Sequence, residues 1–63
     1  MELGKNIEAK NEGGKLTLVI DMTKRLGRSK SGKTTIVATT NGNVSVAGPK
    51  GDVVIGINAY VKD

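Results

Sequence analysis

Residues 34–40 constrain the fold of this chain more than any other stretch. Six of these seven residues are β-branched. Such residues lose side-chain freedom in a helix and suit the pleated surface of a sheet, and seven residues form only a marginal helix even when they are good helix formers. The pattern therefore predicts a β-strand over residues 34–39.

The residues just before this strand match the phosphate-binding loop of nucleotide hydrolases, Gly-x4-Gly-Lys-Thr. The match consists of Gly27, Gly32, Lys33 and Thr34. In those enzymes the loop begins a helix, and the helix N-terminus and backbone N–H groups hold the phosphates. A strand at Thr34 provides no such helix, and a βαβ unit of roughly 30 residues would leave no room for the other strands. We therefore interpret the match as coincidental.

A helix-free form of anion binding stays open for this loop. Successive backbone N–H groups can form a concave anion site without a helix. The residues that would form it are Ser29, Ser31, Gly32, Lys33 and Thr34.

Two alternating segments precede the loop. Residues 7–10 alternate apolar with polar side chains and predict a short edge strand, after a loose terminus at residues 1–5. Residues 11–14 predict a turn, because their two glycines tolerate positive φ. Residues 15–21 alternate again and predict a strand that closes a hairpin with the first. Its apolar face holds Leu16, Leu18 and Ile20.

Two further turns divide the rest of the chain. Residues 40–42 read Thr-Asn-Gly, which predicts a β-hairpin between residues 34–39 and the next apolar run. Pro49 fixes its own φ and donates no hydrogen bond, so it predicts a second turn over residues 47–52. The last predicted strand is residues 53–61, in which Gly56 indicates a bulge or a tight bend.

The register of the hairpin at residues 41–42 has two alternatives. A two-residue turn would place Val37 opposite Val46, and would leave Ile36 on the outer face. A three-residue loop would instead pair Ile36 with Val46. The second register separates apolar from polar side chains better, and register decides which face of a strand is buried. We prefer the second.

These segments predict one small all-β domain over residues 1–63. We expect a five-stranded, mostly antiparallel sheet that is strongly curved or closed as a small barrel. The expected core is Leu16, Leu18, Ile20, Ile36, Ala38, Val44, Val46, Ile55, Ile57 and Ala59. Three apolar residues are left on the outer face as a possible interface with a second copy. They are Val37, Val54 and Tyr60.

The long connection over residues 22–33 concentrates positive charge. It carries five of the ten Lys and Arg residues of a chain whose net charge is +4. Loops of about twelve residues in compact domains are usually functional or mobile. The pattern predicts contacts with the phosphate backbone of a nucleic acid, and the alternative is a solvated basic loop. The candidate residues are Lys24, Arg25, Arg28, Lys30, Ser31, Gly32 and Lys33.

Other function classes find little support in the residues present. The chain has no histidine or cysteine, and no pair of carboxylates is placed together by the strand pattern, so we expect no enzyme, no metal site and no cofactor. Tyr60 is the single aromatic residue, which excludes a platform for stacking several bases. No apolar run reaches the ~20 residues of a membrane span or forms a signal peptide, so we expect a cytoplasmic protein. The second functional hypothesis is a non-catalytic interaction module, either a homo-oligomer or an accessory protein.

Four short segments carry a resemblance to known sequences. They are residues 29–33, Ser-Lys-Ser-Gly-Lys; residues 36–39, Ile-Val-Ala-Thr; residues 42–44, Gly-Asn-Val; and residues 56–60, Gly-Ile-Asn-Ala-Tyr. Together they resemble a group of short uncharacterised prokaryotic and phage proteins over roughly residues 16–60. The resemblance implies no activity.

Overall fold

A computed structural model describes residues 1–62, and within them the protein is all-β with no helix. The strands are β1 (Glu2–Gly4), β2 (Ile7–Glu12), β3 (Lys15–Val19), β4 (Gly27–Arg28), β5 (Thr34–Gly48) and β6 (Gly51–Lys62). They form two antiparallel sheets, in the orders β1-β2-β3 and β4-β5-β6. The all-β, antiparallel prediction is confirmed. The single five-stranded sheet is not what the structure has, and the strands of residues 1–62 do not close into a barrel.

The β2–β3 hairpin forms where its turn signal predicted it. Glu12 pairs with Lys15, so the loop is the dipeptide Gly13-Gly14. Both glycines have positive φ, of 59° and 77°. Positive φ at both central residues is what the twist-compatible two-residue hairpin turn requires. Strand β3 ends at Val19, two residues before its predicted end.

The first five residues are ordered by strand pairing, which corrects the expectation of a loose terminus. Strand β1 pairs with β2, and the Met1 ammonium donates a hydrogen bond of 2.8 Å to the Ala9 carbonyl. The Ala9 N–H in turn donates to the Met1 carbonyl at 2.7 Å. Lys5 then forms an isolated antiparallel bridge with Thr39 of β5. The terminus therefore connects the two sheets.

The predicted hairpin at residues 40–42 is wrong, and so are both of its registers. Strand β5 continues through these residues. Four steps along β5, from Thr39 to Asn43, face only two along β6, from Asn58 to Gly56. The extra residues form a bulge in which Asn41 has φ 54° and Gly42 has φ 105°. The Asn-Gly preference for positive φ is therefore used by a bulge and not by a chain reversal.

The chain reverses one turn later, at the predicted Pro49 turn. Gly48 pairs with Gly51, so Pro49 and Lys50 form the loop of a long β5–β6 ribbon. The bulge that Gly56 indicated lies on the opposite strand. Gly56 is instead a site of close approach, because a Cβ there would lie 2.5 Å from the Asn43 Oδ1 atom.

The core is thin and lies where the first sheet meets the middle of β5. Its buried apolar side chains are Ile7, Ala9, Val37, Ala38 and Val46. Only Ala38 and Val46 of these belong to the predicted core. Seven other predicted core residues are half-buried, namely Leu16, Ile20, Ile36, Val44, Ile55, Ile57 and Ala59. Leu18 is exposed.

Val37 was predicted on the outer face, but it is only 5% exposed. A register shift between Ile36 and Ala38 interrupts the alternation of β5, and the first sheet lies against the same segment. Four consecutive residues, Val37 to Thr40, are buried as a result. The alternation of apolar and polar residues in the sequence could not predict that these four residues are buried. A bulge changes the face on which the following residues lie.

Asn6 joins the two sheets through its side chain. Its Nδ2 atom donates hydrogen bonds of 2.9 Å to the carbonyl oxygens of Asp21 and Val37. Its backbone has φ 61°, a left-handed conformation that Asn tolerates better than most residues. Asn11 makes a similar link farther along the ribbon, where its Nδ2 donates to the Ala47 carbonyl at 2.8 Å. These amides, with the Lys5–Thr39 bridge, hold the first sheet against β5.

Candidate functional site

The predicted basic connection over residues 22–33 is divided by strand β4. Gly27 pairs with Ile36, and Arg28 pairs with Thr35. The residues before β4 form one turn, and the residues between β4 and β5 form a separate hairpin loop. We call residues 28–34 the basic hairpin.

The first turn is organised by Asp21. The hydroxyl of Thr23 donates to Asp21 Oδ1 at 2.6 Å, and the Thr23 N–H donates to the same oxygen at 2.9 Å. The hydroxyl hydrogen bond is the main cause that lowers the pKa of the Asp21 carboxyl, followed by the backbone hydrogen bond and then by the charge of Lys24. Arg25 folds back on this turn, because its Nη1 donates at 3.0 Å to the Met22 and Lys24 carbonyls.

The basic hairpin closes on its own backbone. The Ser29 N–H donates to the Thr34 carbonyl at 2.9 Å, and the Gly32 N–H donates to the Ser29 carbonyl at the same distance. Gly32 has φ 72°, a conformation that costs glycine little. The Arg28 Nη1 donates to the Gly32 carbonyl at 2.7 Å, which holds the guanidinium over the loop. The result is a four-residue hairpin connection with an internal turn.

Hydroxyl groups connect the base of the hairpin. Thr34 Oγ1 donates to Ser29 Oγ at 2.8 Å, and Ser29 Oγ lies 3.1 Å from Ser31 Oγ. The Lys33 N–H faces Ser31 Oγ at 3.4 Å. An anion held by backbone N–H groups would have to replace the contacts of Gly32 and Lys33. The helix-free anion site stays a prediction, and the cationic side chains are the groups that face solvent.

Thr34 begins strand β5 and not a helix. The loop therefore lacks the helix N-terminus to which nucleotide hydrolases bind the phosphates. Any phosphate at Gly27, Gly32 or Lys33 would be held by side chains and single N–H groups.

The structure brings some of the candidate residues together and separates others. The hairpin gathers Arg28, Lys30, Ser31, Gly32 and Lys33, and the three cationic residues among them are exposed. Lys24 and Arg25 belong to the preceding turn. Lys24 lines a cleft with three carboxylates, and this places negative charge beside it. Those carboxylates are Glu2, Glu8 and Asp21.

Lys62 also lies in this region, and the sequence pattern did not predict its position beside the basic hairpin. It pairs with Thr34 across the β5–β6 ribbon, so an additional cation lies beside the base of the basic hairpin. Residues 22–33 contain no acidic side chain. Ion pairs of Glu8 with the Met1 ammonium, at 3.7 Å, and of Glu12 with Lys10, at 3.0 Å, lie in the first sheet instead. Among residues 1–62, positive charge therefore accumulates at one end of the second sheet.

Two of the three predicted interface residues are exposed on β6. Val54 is 65% exposed and Tyr60 is 54% exposed. Val37, the third, is buried and only 5% exposed. A shallow apolar groove lies next to Tyr60, lined by Ile20, Met22, Val37, Ala59 and Val61.

No protein-family model matches the chain, and the search of curated proteins and of solved structures returned no similar protein. The resemblance to short prokaryotic and phage proteins therefore stays a prediction. In residues 1–62 there is no helix long and apolar enough to cross a membrane. The same residues contain no group of three or more carboxylates that could hold a metal ion.

Proposed function

We propose that the protein binds the phosphate backbone of nucleic acids through the basic hairpin, with little sequence specificity. One observation carries the proposal: Lys30 and Lys33 are exposed with Arg28 on a hairpin whose residues include no acidic side chain, and Lys62 lies on the neighbouring strand β6. Phosphate contacts from Lys and Arg supply most of the non-specific affinity for nucleic acids. Lys24 and Arg25 lie on the preceding turn, where the carboxylates of the cleft beside Lys24 reduce their contribution.

The residues of the hairpin suit phosphates better than bases. Lysine, serine and glycine carry little base information, and sequence is read mainly by side chains that reach base edges from a rigid element. A single exposed aromatic residue, Tyr60, cannot stack successive bases. We therefore propose binding that depends strongly on salt and weakly on sequence, by a non-catalytic protein of the cytoplasm.

The test is a fluorescence-anisotropy titration with labelled duplex and single-stranded oligonucleotides at several salt concentrations. If five phosphates are neutralised, the logarithm of affinity falls against the logarithm of salt with a slope of about −4 to −5. The double variant Lys30→Ala/Lys33→Ala should reduce that slope by about 2.

The matched control is Lys15→Ala/Lys50→Ala. It removes the same charge from two exposed residues outside the hairpin. If net charge alone attracts the nucleic acid, both double variants lose affinity equally. That outcome, or no binding at about tens of micromolar protein in low salt, would contradict the proposal.

A second candidate function is a non-catalytic interaction module that assembles with another protein or with itself. The exposed Val54 and Tyr60 on β6 favour it, as does the small number of buried apolar side chains. Small domains with thin cores commonly gain stability from assembly.

A further inference from the structure

Strand β6 is a long edge strand. The order of the second sheet is β4-β5-β6, so β6 pairs with β5 on one side only among residues 1–62. With twelve residues, β6 is about 40 Å long at ~3.3 Å per residue, which matches the longest dimension of the molecule, 39 Å. An exposed edge of this length is a template for pairing with another strand.

Every second residue of β6 points its backbone N–H and C=O groups toward this open edge. The carbonyls of Thr34, Ile36 and Thr39 accept hydrogen bonds from Ser29, Leu26 and Lys5, so their backbones point away from β6. Their partners on β6 are Lys62, Tyr60 and Asn58. In an antiparallel ladder the partner of such a residue points away as well.

Odd-numbered residues of β6 point the other way. The Ile57 N–H donates to Thr40 Oγ1 of β5 at 3.1 Å. By the same alternation, Asp52, Val54 and Gly56 present their backbone groups to the open edge. The even-numbered residues of β6 can therefore form a new antiparallel ladder.

Natural edge strands are usually protected from pairing by proline, by inward-pointing charged side chains or by bulges. Within β6 there is no proline, and the charged residues are Asp52 and Lys62, near its two ends. Both bulges of the ribbon lie on β5. Val53, Val54, Tyr60 and Val61 are all exposed along β6. This strand is therefore open to a partner in a way that edge strands of isolated domains seldom are.

We propose that the open edge of β6 pairs antiparallel with β6 of a second copy of this chain, in a register centred on Ile57. This register places Asp52 of each copy opposite Lys62 of the other, so both ends carry opposite charges. It also places Val54 opposite Tyr60 and Val53 opposite Val61. The even-numbered residues become the hydrogen-bonded pairs, in agreement with the direction of their backbone groups.

The opposite charges near the two ends of β6 favour a second copy as the occupant. A shift of the register by two residues would move Lys62 away from Asp52 and Tyr60 away from Val54. The paired strands would form a continuous six-stranded sheet with two-fold symmetry, an isologous interface. The inference rests on the second candidate function, and it does not require the basic hairpin to bind nucleic acid.

Sedimentation velocity tests the dimer through a charge reversal. The wild-type chain should form a dimer whose fraction rises between micromolar and millimolar protein. Asp52→Lys and Lys62→Asp should each weaken the dimer about tenfold, because two cross-strand pairs become repulsive. The double variant Asp52→Lys/Lys62→Asp restores opposite charges and should return to within about threefold of the wild type.

Cysteine pairing tests the register on exposed residues of a chain that has no cysteine of its own. Val53→Cys and Val61→Cys would face each other as a non-hydrogen-bonded pair, with Cα atoms about 4.5 Å apart, within reach of a disulfide. Under mild oxidation, a mixture of the two variants should give a covalent dimer of one chain of each. Either variant alone should stay uncrosslinked, because in this register neither position faces itself.

A strict monomer at millimolar concentration would overturn both the dimer and self-association as the second candidate function. Two results would overturn the β6 register: a dimer affinity that does not change with the charge reversals, or equal crosslinking of either single cysteine variant. Self-association would then occur through another surface.

Discussion

Asn6 links the two sheets through its side-chain amide. Its side-chain N–H groups reach two carbonyls, one at the start of the basic connection and one in the buried part of β5. An amide can donate to a carbonyl, whereas a carboxylate can only accept. The position therefore distinguishes Asn from Asp although the two side chains have nearly the same shape.

Asn6→Asp should destabilise the protein by about 1–3 kcal/mol, because the two carbonyls lose their donor and face a carboxylate oxygen. Urea denaturation gives the free energy of unfolding. Asn41→Asp is the matched control, since Asn41 also has positive φ but is exposed on the β5 bulge. It should change stability by less than about 0.5 kcal/mol. Equal losses in both variants would show that backbone conformation, and not the donated hydrogen bonds, decides the cost.

At the scale of elements, two strand glycines show how closely the strands approach each other. A Cβ on Gly4 of β1 would lie 2.5 Å from the Thr39 carbonyl oxygen and 2.8 Å from the Thr40 Cα, both backbone atoms of β5. A Cβ on Gly56 of β6 would approach the Asn43 side chain, which is exposed and can rotate away. The first contact fixes the distance between the sheets, and the second does not.

Gly4→Ala should therefore destabilise the protein by about 1–3 kcal/mol, the usual cost of overpacking against atoms that cannot move. Gly56→Ala should be neutral or stabilising by up to about 1 kcal/mol, because alanine loses less backbone entropy in a strand than glycine. Thermal and urea unfolding of the two variants provide the comparison. A similar loss in both, or a neutral Gly4→Ala, would mean that β1 does not approach β5 this closely.

The elements that could be predicted from the sequence are those decided by local contacts. Gly13-Gly14 between two alternating runs predicted the β2–β3 hairpin, because a two-residue turn fixes its own register. Asn41-Gly42 gives the same local signal, yet it forms a bulge, because β5 pairs with β6 on both sides of these residues. Local residues encode the positive φ, and distant strand pairing decides whether the chain reverses there.

In the candidate site, too, some features have a local sequence signal and others depend on distant strand pairing. The charges of residues 24–33 and the strand at Thr34 could be read from the sequence, and the strand is present in the structure. The position of Lys62 beside the hairpin depends on a pairing 28 positions away along the chain, from Thr34 to Lys62. The burial of Val37 depends on a bulge and on packing of the first sheet. Neither property has a local signal.

At the scale of the whole molecule, the shape is extended for so short a chain. The Cα radius of gyration is 13.0 Å, compared with about 10.6 Å for a compact domain of this length. The difference arises from the β5–β6 ribbon, which is longer than the first sheet can cover. Apolar residues of β6 therefore stay exposed, and pairing with a second copy would cover the strand edge that the chain leaves open.

The two proposals together place two basic hairpins on one dimer. In the register centred on Ile57, the two Lys62 residues are separated by ten strand positions, about 33 Å, and the two-fold axis leaves both on the same face. Each basic hairpin lies on the side of β5 away from β6, so the two hairpins are farther apart than the two Lys62 residues. A duplex of two or more turns could contact both hairpins at once and bind more tightly than either hairpin alone.

Asp52→Lys separates this bivalent binding from simple charge attraction. The substitution adds positive charge, so a monomer attracted by net charge would bind DNA more tightly. A protein that binds as the β6 dimer should bind more weakly, because Asp52→Lys disrupts the pair with Lys62 of the second copy. Glu12→Lys is the matched control, since it makes the same change of charge on an exposed residue of β2 that does not belong to the β6 edge. Anisotropy titrations with a duplex of two turns should therefore rank Glu12→Lys above Asp52→Lys, and the reverse order would mean that the hairpins act independently.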